Sequence, residues 1–369
     1  MKKHPFGKFV RSKLFSILFI ILSFFLIAYT TKKIGTLIEI IFSFQCTEFI
    51  FLIFCIYFGY MLIYETSRKT IKKTHQIYAI ACFTLSLLIN MVLCFLIGDA
   101  IKLVLFKNTN IDLFAFIASI LLTLYGLLHA KRIYTKEETI TIGNRKTLKA
   151  AFLSDIHIGS FITSTQLSKI IKTINSLDAD IVLIAGDNFN DDTFEYFDLV
   201  QFATQLQGIK PNKKVYAVLG NHDPHSTDER VYHFFSQAGI ELLVDEVIDL
   251  KDFYLIGRDD VANNPNRQSL HQLLKGIERD KPIILMDHNP LGLDEALEHK
   301  VDLLLCGHTH QGQFFPVNLF TKLAYGKLGF YGYHQSCTTH IIVSSGAGYF
   351  QIPMRIGTKS EIWSLTINL

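Results

Sequence analysis

Apolar residues follow two different rhythms along this chain. In roughly the first 135 positions they run almost unbroken, in stretches at about Leu14–Tyr29, Phe44–Tyr64, Ile77–Ile97 and Ile111–Ala130. A membrane span needs around 20 apolar residues; the last three stretches meet that length and the first is a little short. A soluble helical bundle would show a polar stripe at every turn, and "FIFLIFCIYFGYMLIY" has none. The pattern predicts an all-α domain of four transmembrane helices over residues 1–135. From about Lys146 the rhythm changes. Short apolar bursts end in polar clusters, and helical patterns such as "TSTQLSKIIKTINSL", with a threonine placed to cap it, lie between them. Strand, polar loop, helix, strand predicts an α/β domain over residues 149–369, with 136–148 as a linker.

Charge orients the apolar half. Lys2, Lys3, Lys8, Arg11 and Lys13 precede the first stretch, and Arg68, Lys69, Lys72 and Lys73 separate the second from the third. Lys131, Arg132 and Lys136 follow the fourth. The intervening loops hold only Lys32 with Lys33, and Lys102 with Lys107. Basic loops stay in the cytoplasm, so both termini and the α/β domain are expected there, in a multi-pass protein of the inner (cytoplasmic) membrane. The first stretch lacks a small-x-small cleavage site and is not read as a signal peptide. Glu48 and Asp99 fall near the outer ends of spans and are read as interfacial. A net charge of +3 gives no nucleic-acid path, and six cysteines without framework spacing indicate neither disulfides nor a thiolate metal site.

The polar clusters carry the chemistry. "SDIHIGS" sets Asp155 and His157 two apart, on one face if the segment is extended. "DIVLIAGDNFND" runs into Asp187, and "KVYAVLGNHD" into Asn221, His222 and Asp223. "KPIILMDHNP" delivers Asp287 and His288, and "VDLLLCGHTHQGQ" delivers His308 and His310. Alone, each is as readily a turn or a surface histidine. All five stand at strand ends, where α/β sheets hold their ligands.

In this order, D-x-H, G-D, G-N-H-D, H and G-H-x-H resemble the calcineurin-like metallophosphoesterase superfamily, over about Lys149 to Leu369. The resemblance implies a four-layer α-β-β-α sandwich and a centre of two divalent metal ions. Carried over by motif, Asp155, His157 and His310 hold one ion, Asn221, His288 and His308 the other, and Asp187 bridges them. His222 becomes the group that stabilises or protonates the phosphoryl oxygens, with Asp223 orienting its imidazole. Nitrogen and oxygen donors without thiolate suit Mn²⁺, Fe or Zn²⁺. The chain departs from its membrane-anchored relatives at Gln311, where they have glycine. Asp287 is open between a carboxylate supporting the histidine ligand and a plain strand-end residue. The aromatic segment 314–334, with Phe320, Tyr325, Phe330 and Tyr331, is read either as a loop over its own small core or as a lip meeting the membrane.

The resemblance implies a metal-dependent phosphoesterase or pyrophosphatase. Four spans exceed the needs of a tether, which favours a lipid-linked substrate; the anchored subgroup looks similar to UDP-2,3-diacylglucosamine pyrophosphatases of lipid A synthesis. The alternatives are a phosphodiesterase of small or nucleotide substrates, a phosphoprotein phosphatase and, from another class, a non-catalytic interaction module. The partners expected are the phosphate ester or pyrophosphate and membrane lipids, with no nucleic acid.

Overall fold

The computed structural model describes residues 13–66, 75–105, 110–144, 146–191, 193–210 and 214–369. It divides into two compact units. The helical unit reaches His129 and takes in residues 351–354; the other holds Ala130–Phe350 and Arg355–Leu369.

In the helical unit the apolar stretches form α1 (Lys13–Phe42), α2 (Thr47–Thr66), α3 (His75–Leu105) and α4 (Asn110–Ala130). Among the described residues, Ile20–Phe42, Ala79–Val104 and Asn110–Ala130 are long and apolar enough to cross a membrane, and Thr47–Tyr60 is a shorter apolar helix. The four expected segments are all helical, but three meet the length. The basic pairs assigned to outer loops need correcting. Lys32, Lys33 and Lys102 lie inside helices, while Lys107 and the basic loop at 68–73 are outside the described residues. Asp99 is paired. Lys33 bonds both Asp99 and Asp112, Lys102 reaches Asp112 at 2.6 Å, and the Tyr29 hydroxyl donates to Asp99 at 2.6 Å. Two cations matched by two carboxylates explain how α1 keeps a lysine beyond its first apolar turns: a charge leaving water needs a partner.

The second unit begins with β1 (Ile133–Thr141) and β2 (Thr147–Leu153), followed by α5 (Ser164–Ser176), β3 (Ile181–Ala185), α6 (Thr193–Tyr196), α7 (Leu199–Leu206) and β4 (Lys214–Val218). Next come α8 (Glu229–Ala238), β5 (Glu241–Leu242), β6 (Glu246–Asp249), β7 (Tyr254–Gly257), α9 (Leu270–Leu273) and β8 (Ile283–Met286). The chain ends through α10 (Leu293–Glu298), β9 (Leu303–Cys306), α11 (Val317–Phe330), β10 (Gly332–Ser336), β11 (Thr339–Val343) and β12 (Ser360–Asn368). Most of residues 136–148, expected as a linker, is therefore strand. β1 lies at a sheet edge and pairs in parallel with β12 along its whole length, from Ile133–Ser360 to Thr141–Asn368.

Two six-stranded sheets result, ordered β1-β12-β2-β3-β4-β5 and β10-β11-β9-β8-β7-β6. Side-chain alternation along the strands makes the layers. Phe152, Leu183, Tyr216 and Trp363 of the first sheet meet Leu255, Met286, Leu305 and Ile342 of the second in a buried apolar core. Ala151, Leu153, Val182 and Ile184 point the other way, onto Leu167, Ile170, Phe202 and Phe234 of α5, α7 and α8. On the far side Ile256, Leu285, Leu304 and Val343 pack on Leu270, Leu293 and Ala296 of α9 and α10. This is the expected α-β-β-α sandwich. Strands buried on both faces explain the unbroken apolar runs "IVLIA" and "LLLC". β2, β3 and β4 run parallel in one sheet, and β7, β8 and β9 in the other. Their polar extensions consequently emerge together at one end.

Candidate metal centre

Each candidate lies two to four residues beyond a strand: Asp155 and His157 after β2, Asp187 after β3, Asn221 after β4, His288 after β8, and His308 and His310 after β9. The loops are tied to one another. Asp155 N–H donates to Gly186 O and His157 N–H to Asp187 O, which fixes the first loop on the second. Glycines allow the close approach: a Cβ on Gly186 would fall 2.7 Å from the His288 ring, and one on Gly220 would fall 2.2 Å from Asp187 Oδ1. Asp155, His157, Asp187, His308 and His310 all have φ between 48° and 72°. Aspartate and histidine visit this left-handed region more readily than most residues, and a cluster of such strain belongs to functional sites.

The side chains converge in two groups that share Asp187. Asp155, His157, Asp187 and His310 form one and Asp187, His288 and His308 the other, with donor atoms of each group within 4.8 Å of one another. Asn221 Oδ1 joins the second, 2.6 Å from His308 Nδ1. Separations in the first group are 3.0 Å (His157 Nε2 to His310 Nε2), 3.2 Å (His310 Nε2 to Asp155 Oδ1) and 3.6 Å (His157 Nε2 to Asp187 Oδ2). Donors about 2.1 Å from a common ion at right to tetrahedral angles stand about 3.0–3.4 Å apart, so the set fits a cation. His288 fits as well. Its Nδ1 faces Ala185 O at 2.7 Å, whereas its buried Nε2 makes no hydrogen bond and lies 3.2 Å from Asp187 Oδ2. An imidazole that gives its proton to a backbone carbonyl presents the other nitrogen as a ligand.

The electrostatics describe a site short of positive charge. Burial pushes Asp155 up to about 6, with Asp187 adding to the rise and His288 opposing it. Burial drives His157 down to about 3 and His310 well below the usual range, so both are neutral, as ligands must be. For Asp187 burial is outweighed by His288, which holds it well below the carboxylate range; burial of His288 is outweighed in turn by Asp187, which holds it well above. A cation bound here would supply positive charge to these buried carboxylates in place of the imidazole.

His222 adjoins this centre, its backbone N–H on Asp187 Oδ1 at 2.8 Å. The expected partnership with Asp223 is not found. Asp223 is buried and takes the N–H groups of Gly220 and Phe189 and the amide of Asn188, so its oxygens tie the turn after β4 to the loop after β3. The carboxylate at His222 Nδ1 is Asp191, at 3.1 Å, from the loop after β3. Asp287 also resolves: Arg267 grips both its oxygens at 2.9 and 2.7 Å, so it anchors the loop before His288. Gln311 has φ 53°, a conformation glycine adopts without strain.

Three further residues shape the site. The Phe350 ring lies 4.2 Å from that of His222 and 5.3 Å from that of His157, while its backbone is clamped by Gln313 at both N–H and C=O. The Tyr325 hydroxyl stands 2.8 Å from His308 Nε2, the nitrogen turned away from Asn221. Arg355, fully buried, donates to the carbonyls of His310, Ser345 and Gly348, a structural role. Tyr325 was visible in sequence only as one aromatic among several. Phe350 and Asp191 carry no spacing signal.

Comparison with known proteins agrees with the geometry. Residues 148–312 match the model of the calcineurin-like phosphoesterase family. An uncharacterized metallophosphoesterase of Helicobacter pylori is 36% identical over 222 residues, 59% of either chain. A transmembrane protein with metallophosphoesterase domain from Danio rerio is 32% identical over 275 residues, 69% of this chain and 62% of that one. The chain thus spans about three-fifths of the length of the curated relatives it matches. Among solved structures, the calcineurin-like phosphoesterase YfkN of Bacillus subtilis aligns at 14% identity and a TM-score of 0.34, over 59% of this chain and 90% of that one.

Proposed function

We propose, from the match of residues 148–312 to the calcineurin-like phosphoesterase family and the donor groups within it, that the chain is a membrane-anchored, metal-dependent hydrolase of phosphate esters or pyrophosphates. The observation that carries this reading is the convergence of Asp155, His157, Asp187, Asn221, His288, His308 and His310 in two donor groups sharing one carboxylate. Two divalent ions bound there would supply Lewis acidity to the phosphoryl oxygens and an acidified water. The donors admit Mn²⁺, Fe or Zn²⁺. Around them the chain supplies the rest. His222, partly exposed and held through Nδ1 by Asp191, offers Nε2 to a phosphoryl or leaving-group oxygen. Phe350 backs that imidazole and fixes its plane.

For the substrate we propose a phosphate ester or anhydride carried on a lipid, because apolar helices hold this unit at a membrane. UDP-2,3-diacylglucosamine is one member of that class, and no residue at the site singles it out. The basic residues flanking the helices, Lys131 and Arg132 among them, favour a cytoplasmic face for the domain. The test is a panel: the purified full chain with Mn²⁺ against bis(p-nitrophenyl) phosphate, nucleotides and lipid-linked pyrophosphates. Chelator-sensitive hydrolysis is expected, highest on the lipid-linked compounds. A metal-loaded chain that hydrolyses none of them contradicts the reading.

A further inference from the structure

Helix α11 is amphipathic in the wrong sense for a protein surface in water. Its residues Asn318, Thr321 and Tyr325, spaced three and four apart, face the protein. Asn318 and Thr321 close on Gly312, and Tyr325 reaches His308. The opposite face carries Leu319, Phe320 and Leu323, with 51–60% of each exposed. Phe315 and Val317, at the entry to the helix, are each 39% exposed. Full burial of one such side chain is worth roughly 1.5–3 kcal/mol, so a surface of this kind is costly in water. Lys322 is exposed on the same helix, and exposed Lys327 follows the kink at Gly326, where φ is 68° and ψ −174°.

We propose that the outer face of α11 lies in the headgroup and upper acyl region of the lipid bilayer that holds the helical unit. The occupant follows from the chain. α4, apolar enough to span, ends at Ala130, and β1 begins at Ile133 after only Lys131 and Arg132. Three residue steps cover at most about 10 Å, so the sandwich starts at the membrane surface. An interfacial helix wants apolar side chains on one face and lysines that reach lipid phosphates, and α11 has both. The aromatic residues taken from sequence as a lip divide differently. Phe320 points out, but the Tyr331 hydroxyl donates to Glu361 at 2.8 Å beneath the Lys136 ammonium, and the Phe330 carbonyl accepts from Thr309. Because Tyr325 and Leu323 share a helix, the lipid contact is mechanically joined to the candidate centre.

The probe is a single tryptophan at Leu323→Trp in the full chain, reconstituted in nanodiscs of phosphatidylcholine and phosphatidylglycerol with brominated acyl chains. Trp363, fully buried, gives the background to subtract. Val200→Trp, at an exposed position of α7, is the reference for water. The expected result is blue-shifted emission at position 323 and bromine quenching at least about twofold that at 200. Emission and quenching equal to those at 200 overturn the proposal. So does a blue shift without quenching, which would mean that protein covers the face. The proposal rests on the helices being inserted, not on the reaction. An active enzyme with an unquenched Leu323→Trp sinks the lipid contact alone, and a quenched but inactive, metal-free chain sinks the reaction alone.

Discussion

At the scale of single residues, the motifs carried the ligand candidates, because a metal-binding side chain must offer a donor atom and few residue types do. They did not carry the groups that act through those residues. Asp223 was paired with His222 through the G-N-H-D motif of the resemblance, yet its oxygens accept from Gly220 N–H, Phe189 N–H and the Asn188 amide. Asp191 holds the imidazole instead, from another loop. His222→Ala is expected to slow turnover on the order of 10²–10⁴-fold with metal content unchanged. Asp191→Asn should slow the same step less, again with metals retained; metal loss as the main effect in either variant would make His222 a ligand. Tyr325 makes a separate prediction. Partners of a metal-binding histidine typically account for 10–100-fold in metal affinity, so Tyr325→Phe should weaken one of two metal-binding steps by about that much. Titration of the chelated protein with Mn²⁺ measures it, and two unaltered affinities would leave the hydroxyl without that role.

At the scale of elements, the strands and helices of the sandwich were legible where they are local and buried. β3 and β9 are apolar on both faces, and α5 shows its period clearly. β1 was not legible. Its sequence "IYTKEETIT" is half polar, and its partner β12 lies more than two hundred residues later, so nothing local marks it as strand. α1 outran its prediction because Lys32 and Lys33 read as a loop until Asp99 and Asp112 are known to face Lys33. The left-handed turns at the strand ends were equally hidden, since a one-dimensional pattern does not report φ. They give the loops little freedom, which Gly220 makes testable. A Cβ there would meet Asp187 N at 2.3 Å, backbone that cannot step aside. Gly220→Ala should cost about 1–3 kcal/mol of stability and displace Asp187. A lower melting temperature together with lost metal is the expected result; an unchanged melting temperature and full metal content would show that the loop is pliant.

At the scale of the whole molecule, the division into an apolar half and a globular half was written in composition, while the α-β-β-α layering came from the resemblance. The length of the first span was harder to read, because α1 carries internal charge. A phosphatase–fluorescent-protein pair of reporters after Leu369 should report cytoplasm, and periplasmic activity there would move the substrate pool to the other face. The central claim concerns a site that neither sheet makes alone. Asp155, His157, Asp187 and Asn221 come from the first sheet and His288, His308 and His310 from the second, with Asp187 common to both groups. Its most direct test is the metal content of the purified full chain, wild type against Asp187→Asn, measured beside turnover of bis(p-nitrophenyl) phosphate. The account predicts two ions per wild-type chain and, in the variant, loss of both bound metal and turnover. Wild-type protein that binds no divalent metal, or a variant that keeps full stoichiometry and full activity, would contradict it.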